Sequence, residues 1–163
     1  MSRPRLDSLL EKLEKGHQKT RQVFNKLTAE EWESALYGGP DWSTHNLLAH
    51  FVSAEENLLG LAQNVAGGGP GAPEGLDINQ FNAQEQRRNL GRSVWELIEA
   101  LDLARQRTIE WVRTLTDEQL DKIGRHPALG EISVEAILTA IFGHQILHLR
   151  DLVRLQRATK SEE

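Results

Sequence analysis

The chain has 163 residues, of which 39% are apolar and 26% charged, and 19 basic against 24 acidic side chains leave a formal charge of −5. That size and balance fit one folded domain with a real core, not a disordered chain. The acidic balance, with no dense run of Lys or Arg, argues against nucleic acid as the main partner, and the absence of cysteine removes disulfides, thiolate ligands and a cysteine nucleophile.

In chain order, Met1-Ser2-Arg3-Pro4-Arg5 leads directly into a charged amphipathic pattern and lacks the apolar core of a signal peptide. No apolar run approaches the ~20 residues that span a bilayer. The cytoplasm is therefore the expected compartment, with no membrane partner. Leu6, Leu9, Leu10, Leu13, Phe24 and Leu27 predict a first helix over 5–27. Thr28-Ala29-Glu30-Glu31 is a capping box opening a short turn that carries Trp32, and Tyr37-Gly38-Gly39-Pro40 breaks the chain. Ser43 or Thr44 caps a second helix through Leu47, Leu48, Phe51, Leu58, Leu59 and Val65, which the Gly/Pro stretch 67–75 ends. A short helix over 77–90 follows. Ser93-Val94-Trp95-Glu96 caps the third long helix, which runs to about Leu115. Thr116-Asp117-Glu118-Gln119 opens another short turn, and His126-Pro127-Ala128-Leu129-Gly130 reads as a connector with no hairpin signal. Ser133 caps the last long helix, ending near Arg157, and the polar tail 158–163 is expected to fray. Four long amphipathic helices with short accessory helices predict an all-α four-helix bundle forming a single domain over 1–163.

Two histidines, His144 and His148, stand one turn apart in the last helix. Residues at i and i+4 share a face, and this face also carries Val134, Ile137, Ile141 and Leu152, so the imidazoles are expected to point inward. A buried imidazole needs a hydrogen-bond partner, a proton or a metal. His50, on the second long helix, can join them only across the bundle. The three would then hold a divalent metal, zinc first with nickel or iron as alternatives, and leave a position open for water or substrate. The metalloprotease pattern is absent, because Gln145 stands where His-Glu-x-x-His has its glutamate. A base would have to come from elsewhere: metal-bound hydroxide, Glu55 or the substrate itself. Glu55 is the candidate catalytic carboxylate, and its other reading is a salt bridge to Arg or Lys.

Other features carry bland readings. The Gly-rich stretch has no Gly-Lys-Ser/Thr and follows a helix, so it is not a phosphate loop. Trp32, Trp42, Trp95 and Trp111 are expected as core anchors, and Arg87, Arg88 and Arg92 as a solvated face that would bind a carboxylate only if it meets the mouth of the site. His17 reads as solvent-facing, His45 as lying near the site's entrance, and His126 as engaged with backbone.

The segments Asp41-Trp42-Ser43-Thr44-His45-Asn46-Leu47-Leu48-Ala49-His50, then Glu55, Asp77-Ile78-Asn79-Gln80-Phe81-Asn82, His126-Pro127-Ala128-Leu129-Gly130-Glu131-Ile132-Ser133 and His144-Gln145-Ile146-Leu147-His148 occur in an order and spacing that resemble the DinB-like (DinB/YfiT) superfamily across almost the whole chain. The resemblance implies up-down-down-up helix order, a divalent metal on His50, His144 and His148, and a homodimer. It implies thiol-dependent transferase or isomerase chemistry, or hydrolase chemistry, on a small-molecule substrate, with a low-molecular-weight thiol or water as the nucleophile. Residues 77–82 are similar to a stretch in the mycothiol-dependent maleylpyruvate isomerase branch. The alternative is a non-catalytic metal- or ligand-binding stress-response bundle.

Overall fold

The computed structural model describes residues 3–36 and 42–161, so the break at Tyr37-Gly38-Gly39-Pro40, Asp41 of the motif and the last two tail residues lie outside the described residues. Four long helices, α1 (Pro4–Phe24), α3 (Thr44–Ala66), α5 (Val94–Val112) and α7 (Val134–Lys160), form the bundle. Short helices α2 (Ala29–Glu33), α4 (Ile78–Asn89) and α6 (Asp117–Leu120) join them, together with a hairpin of β1 (Ile123–His126) and β2 (Gly130–Ser133).

The helices begin where side-chain oxygens can cap free amides. Ser43 accepts from the amide of Asn46, and Asp77 from those of Asn79 and Gln80. Full capping boxes stand at Thr28/Glu31, Ser93/Glu96 and Thr116/Gln119. At its other end α3 is closed by Lys122, whose Nζ donates to the carbonyl of Ala66 at 2.7 Å, a cation on the negative pole of the helix. α1 ends at Phe24 rather than Leu27, and α7 continues past Arg157 to Lys160.

Apolar side chains gather into two clusters. One joins Leu6, Leu9 and Leu13 of α1 to Ala62 and Val65 of α3, Val112 of α5, and Val134 and Ile137 of α7. The other joins Phe24 of α1 to Leu47 and Phe51 of α3, Leu97 and Leu101 of α5, and Leu149 and Leu152 of α7. The start of α1 thus meets the ends of α3 and α5 and the start of α7, which is the up-down-down-up order. Each fully buried Leu or Phe contributes about 1.5–3 kcal/mol. α1 and α3 each pack on α5 and α7. α3 and α5 are parallel neighbours, so segment 67–93 must carry the chain back along the bundle.

That return is strapped to the hairpin. The amide of Ala72 donates to the carbonyl of Arg125 at 2.7 Å, and the amide of Arg125 to that of Pro70 at 2.9 Å. The hairpin replaces the expected plain connector: β1 and β2 pair antiparallel with His126 opposite Gly130. The turn needs Gly130 at φ +76°, a signal carried by one glycine three residues after Pro127 and not by any alternating strand pattern. At the strap, Gly71 has φ +87°, and a Cβ there would lie 2.5 Å from the backbone N of Arg125. Gly71→Ala is therefore expected to cost about 2–4 kcal/mol, read from urea unfolding midpoints; an unchanged midpoint would show the strap to be slack.

Candidate metal centre

The histidine face of α7 points inward as its apolar companions require: Val134, Ile137, Ile141 and Leu152 are all buried. α3 runs antiparallel beside it, which sets His50 level with residues 144–148. One ligating nitrogen from each of His50, His144 and His148 lies within 4.8 Å of the others. The Nε2 atoms of His50 and His144 are 2.9 Å apart, and those of His148 and His144 are 3.1 Å apart. Phe51 backs the rings of His144 and His148 at centroid distances of 6.1 and 6.0 Å, and Trp42 meets His50 edge-on at 5.6 Å.

Burial sets the charge state. It pushes His50 down to about 4, with the His148 ring adding to the effect. It pushes His144 down to about 3, helped by His50, His148 and His126. His148 is also lowered by burial, with Asp151 opposing. All three are neutral at pH 7, the form that ligates metal. Protons alone serve the cluster poorly, since the Nε2 of His144 has either one lone pair or one hydrogen with which to serve both neighbours. A cation takes one lone pair from each ring. Tetrahedral ligands at zinc–nitrogen distances stand about 3.3 Å apart, so the two pairs that share His144 need open by only a few tenths of an ångström, and His50 and His148, within 4.8 Å of each other, would close on the ion. The donor set fits a divalent metal. The Nδ1 of His144 is buried without a partner among the described residues, so packing against Phe51 orients this ring.

These shifts have a thermodynamic sign. Native pKa values below the unfolded 6.5 mean that the unfolded chain binds protons first. Stability from the buried neutral histidines is present above pH 6.5 and is lost as pH falls from there through about 4. The metal-free protein is expected to melt progressively lower between pH 7 and pH 5, above the range where most carboxylates titrate. A flat melting temperature over that interval would contradict it.

Glu55 occupies a different position from that of a free base. Its carboxylate accepts from Arg105 Nε at 2.7 Å and Nη2 at 2.8 Å, from Thr108 Oγ1 at 3.0 Å and from Gln145 Nε2 at 2.9 Å. Both charged side chains are almost wholly buried. Arg105 also donates to the carbonyl of Leu13 at 2.6 Å and to Oε1 of Gln145 at 3.2 Å. Glu55 thus takes the salt-bridge alternative, and one polar layer ties all four long helices together, with Gln145, the chain neighbour of His144, as its member on α7. Arg105 was legible in principle: it falls on the stripe Leu101, Ala104, Thr108, Val112 of α5, where an arginine must be paired.

His50 and His144 also line a cavity of about 430 Å³. Ala54, Leu58 and Leu61 of α3 form one wall, Leu76, Ile78 and Phe81 of the return segment another, and His126 and Pro127 of the hairpin a third. The arginine cluster does not reach it: Arg88 pairs with Glu85, and Arg92 bonds Asn89 and the carbonyl of Glu96. His45 does not line it; its Nε2 lies 2.9 Å from the carbonyl oxygen of Arg92. His17 is not solvent-facing but half-buried against Asp102 at 2.8 Å. Trp95 is 77% exposed and anchors no core, whereas Trp32 packs at a tilt on Phe24.

A family model described as the DinB superfamily matches residues 12–152. Among solved structures, the chain is similar to YfiT from Bacillus subtilis, described as a probable metal-dependent hydrolase with an unusual four-helix bundle topology. The TM-score is 0.77 at 19% identity, covering 98% of this chain and 90% of that one. It is also similar to a mycothiol-dependent maleylpyruvate isomerase, with TM-score 0.74 and 16% identity, over 90% of this chain and 60% of that one. At these identities the likeness shows the fold alone. A search of curated sequences returned no match.

Proposed function

We propose that this chain, which belongs to the DinB superfamily, is a divalent-metal-dependent enzyme acting on a small molecule admitted through the cavity. His50, His144 and His148 hold the ion through Nε2. Zinc is the first choice, with nickel or iron as alternatives, since three neutral imidazoles suit each. When bound, the ion lowers the pKa of a thiol or water beside it and so supplies the nucleophile. The observation that carries the reading is the convergence of three neutral imidazoles, two of which line a mainly apolar cavity.

The surrounding residues favour a thiol. Glu55 is held by Arg105, Thr108 and Gln145 and has no lone pair to spare for a substrate proton. Without that base, the nucleophile needing the smaller drop in pKa is preferred: about 8.5 for a free thiol against about 15.7 for water. The reaction is then thiol transfer to an apolar electrophile, or a thiol-assisted isomerisation, with hydrolysis as the second chemistry. Cobalt-loaded protein titrated with a low-molecular-weight thiol is expected to develop a sulfur-to-cobalt charge-transfer band in the near ultraviolet. No band at saturating thiol would remove the thiol reading.

The same sequestration of Glu55 favours a second reading, a metal- or ligand-binding bundle without turnover. It predicts thiol binding with no product in any transfer or hydrolysis assay. Among the described residues no helix is long and apolar enough to cross a membrane, and the cytoplasm remains the proposed compartment. A homodimer is the proposed assembly; a sedimenting species of 18.4 kDa would overturn that.

A further inference from the structure

His126 stands at the end of β1, where the chain turns through Pro127–Leu129 into β2. Its Nδ1 accepts from the backbone amides of Ala128 and Leu129, both at 3.1 Å. A backbone N–H can only donate, so Nδ1 presents its lone pair and the ring proton resides on Nε2. The tautomer follows from the identity of the partners, not from hydrogen placement. Burial also disfavours the imidazolium, which keeps the ring neutral. A ring locked in this way is neither a base nor a metal ligand.

The ring is 8% exposed and lines the same cavity as His50 and His144. Gly124, two residues earlier and on the same face of β1, packs on Val65, so this face looks into the protein. With Nδ1 held against the turn, the Nε2 edge is what the ring offers the cavity. Two other polar groups there are engaged: Asn57 donates to Glu85, and Asn64 accepts from the amide of Gly71.

We propose that His126 is a specificity-determining donor of this cavity, whose fixed Nε2–H binds the carbonyl oxygen of an otherwise apolar substrate seated beside the three histidines. The proposal rests on the metal reading only for where the reacting end of that substrate lies. It names the electrophile class: an apolar carbonyl compound.

The test uses the full chain labelled with nitrogen-15, zinc-free and zinc-loaded, titrated with acetophenone and with ethylbenzene, which lacks the carbonyl. The histidine nitrogen pattern is expected to show the proton of His126 on Nε2, and acetophenone, not ethylbenzene, is expected to move that resonance. His126→Asn keeps an oxygen where Nδ1 was and so preserves both turn bonds. It is expected to take up zinc like the native chain and to bind acetophenone roughly three- to tenfold more weakly, with ethylbenzene unaffected. A proton on Nδ1, native affinity in His126→Asn, or loss of zinc in that variant would each overturn the proposal. If the variant melts early, the native isotope pattern and the ketone-dependent shift decide alone. If the native chain takes up no zinc, the metal reading fails while the zinc-free titration still decides His126.

Discussion

Replacing His148 with alanine is expected to abolish zinc uptake, from about one equivalent in the native chain purified without a histidine tag to a level indistinguishable from zero. The Nε2 of His148 lies 3.1 Å from that of His144, so its loss leaves two imidazoles facing a cavity. Elemental analysis reads the stoichiometry. Stability gives an independent check, because a ligand that binds only the native state adds about 4 kcal/mol at a thousandfold excess over its Kd. For a chain of this length that is about 8–16 °C in melting temperature. Zinc should raise the native Tm by that order and leave His148→Ala unmoved. A structural staple would show itself as a metal-free native protein that melts far lower or fails to fold. Retention of zinc by His148→Ala would refute the assignment.

The second large effect concerns the buried ion pair. Arg105→Leu is expected to destabilise the chain by about 3–5 kcal/mol, because it strands the carboxylate of Glu55 in the core with only Thr108 and Gln145 to bond it. On the scale of about 5–15 kcal/mol for a whole domain, this approaches the threshold of folding. The double variant Glu55→Leu/Arg105→Leu removes both charges and is expected to recover much of the loss, as paired apolar replacement of buried ion pairs does elsewhere. Urea unfolding of the two single variants and the double gives the coupling energy. Additive single effects would mean that the two side chains do not depend on each other. Since Gln145 bonds Glu55 beside His144, zinc affinity should fall in Arg105→Leu even where the fold survives.

How legible all this was differs residue by residue. The starts of α2, α3, α5 and α6 could be read from Thr28, Ser43, Ser93 and Thr116, because a cap is decided by side chains within three positions of the amides they serve. The inward aim of His144 and His148 could be read from α7 for the same reason of local periodicity. Trp95 is exposed at the start of α5 although its size suggests a core anchor, because which face of a helix is buried, and not residue type, sets exposure. The hairpin escaped because its strands have four residues each and draw their order from the strap at Gly71 and Arg125, not from alternating apolar residues.

Local pattern alone determined that this polypeptide makes four long amphipathic helices and that one of them turns a pair of imidazoles toward the interior. Only the tertiary structure decided which groups those imidazoles meet. It placed His50 across an antiparallel helix pair and drew Glu55 onto Arg105, 50 positions away in the chain. It also brought His126 from a hairpin tip to the same cavity. The physical reason is that helical periodicity orients a side chain relative to its own axis, whereas the rotation and level of one helix against another are set by how both apolar clusters close together.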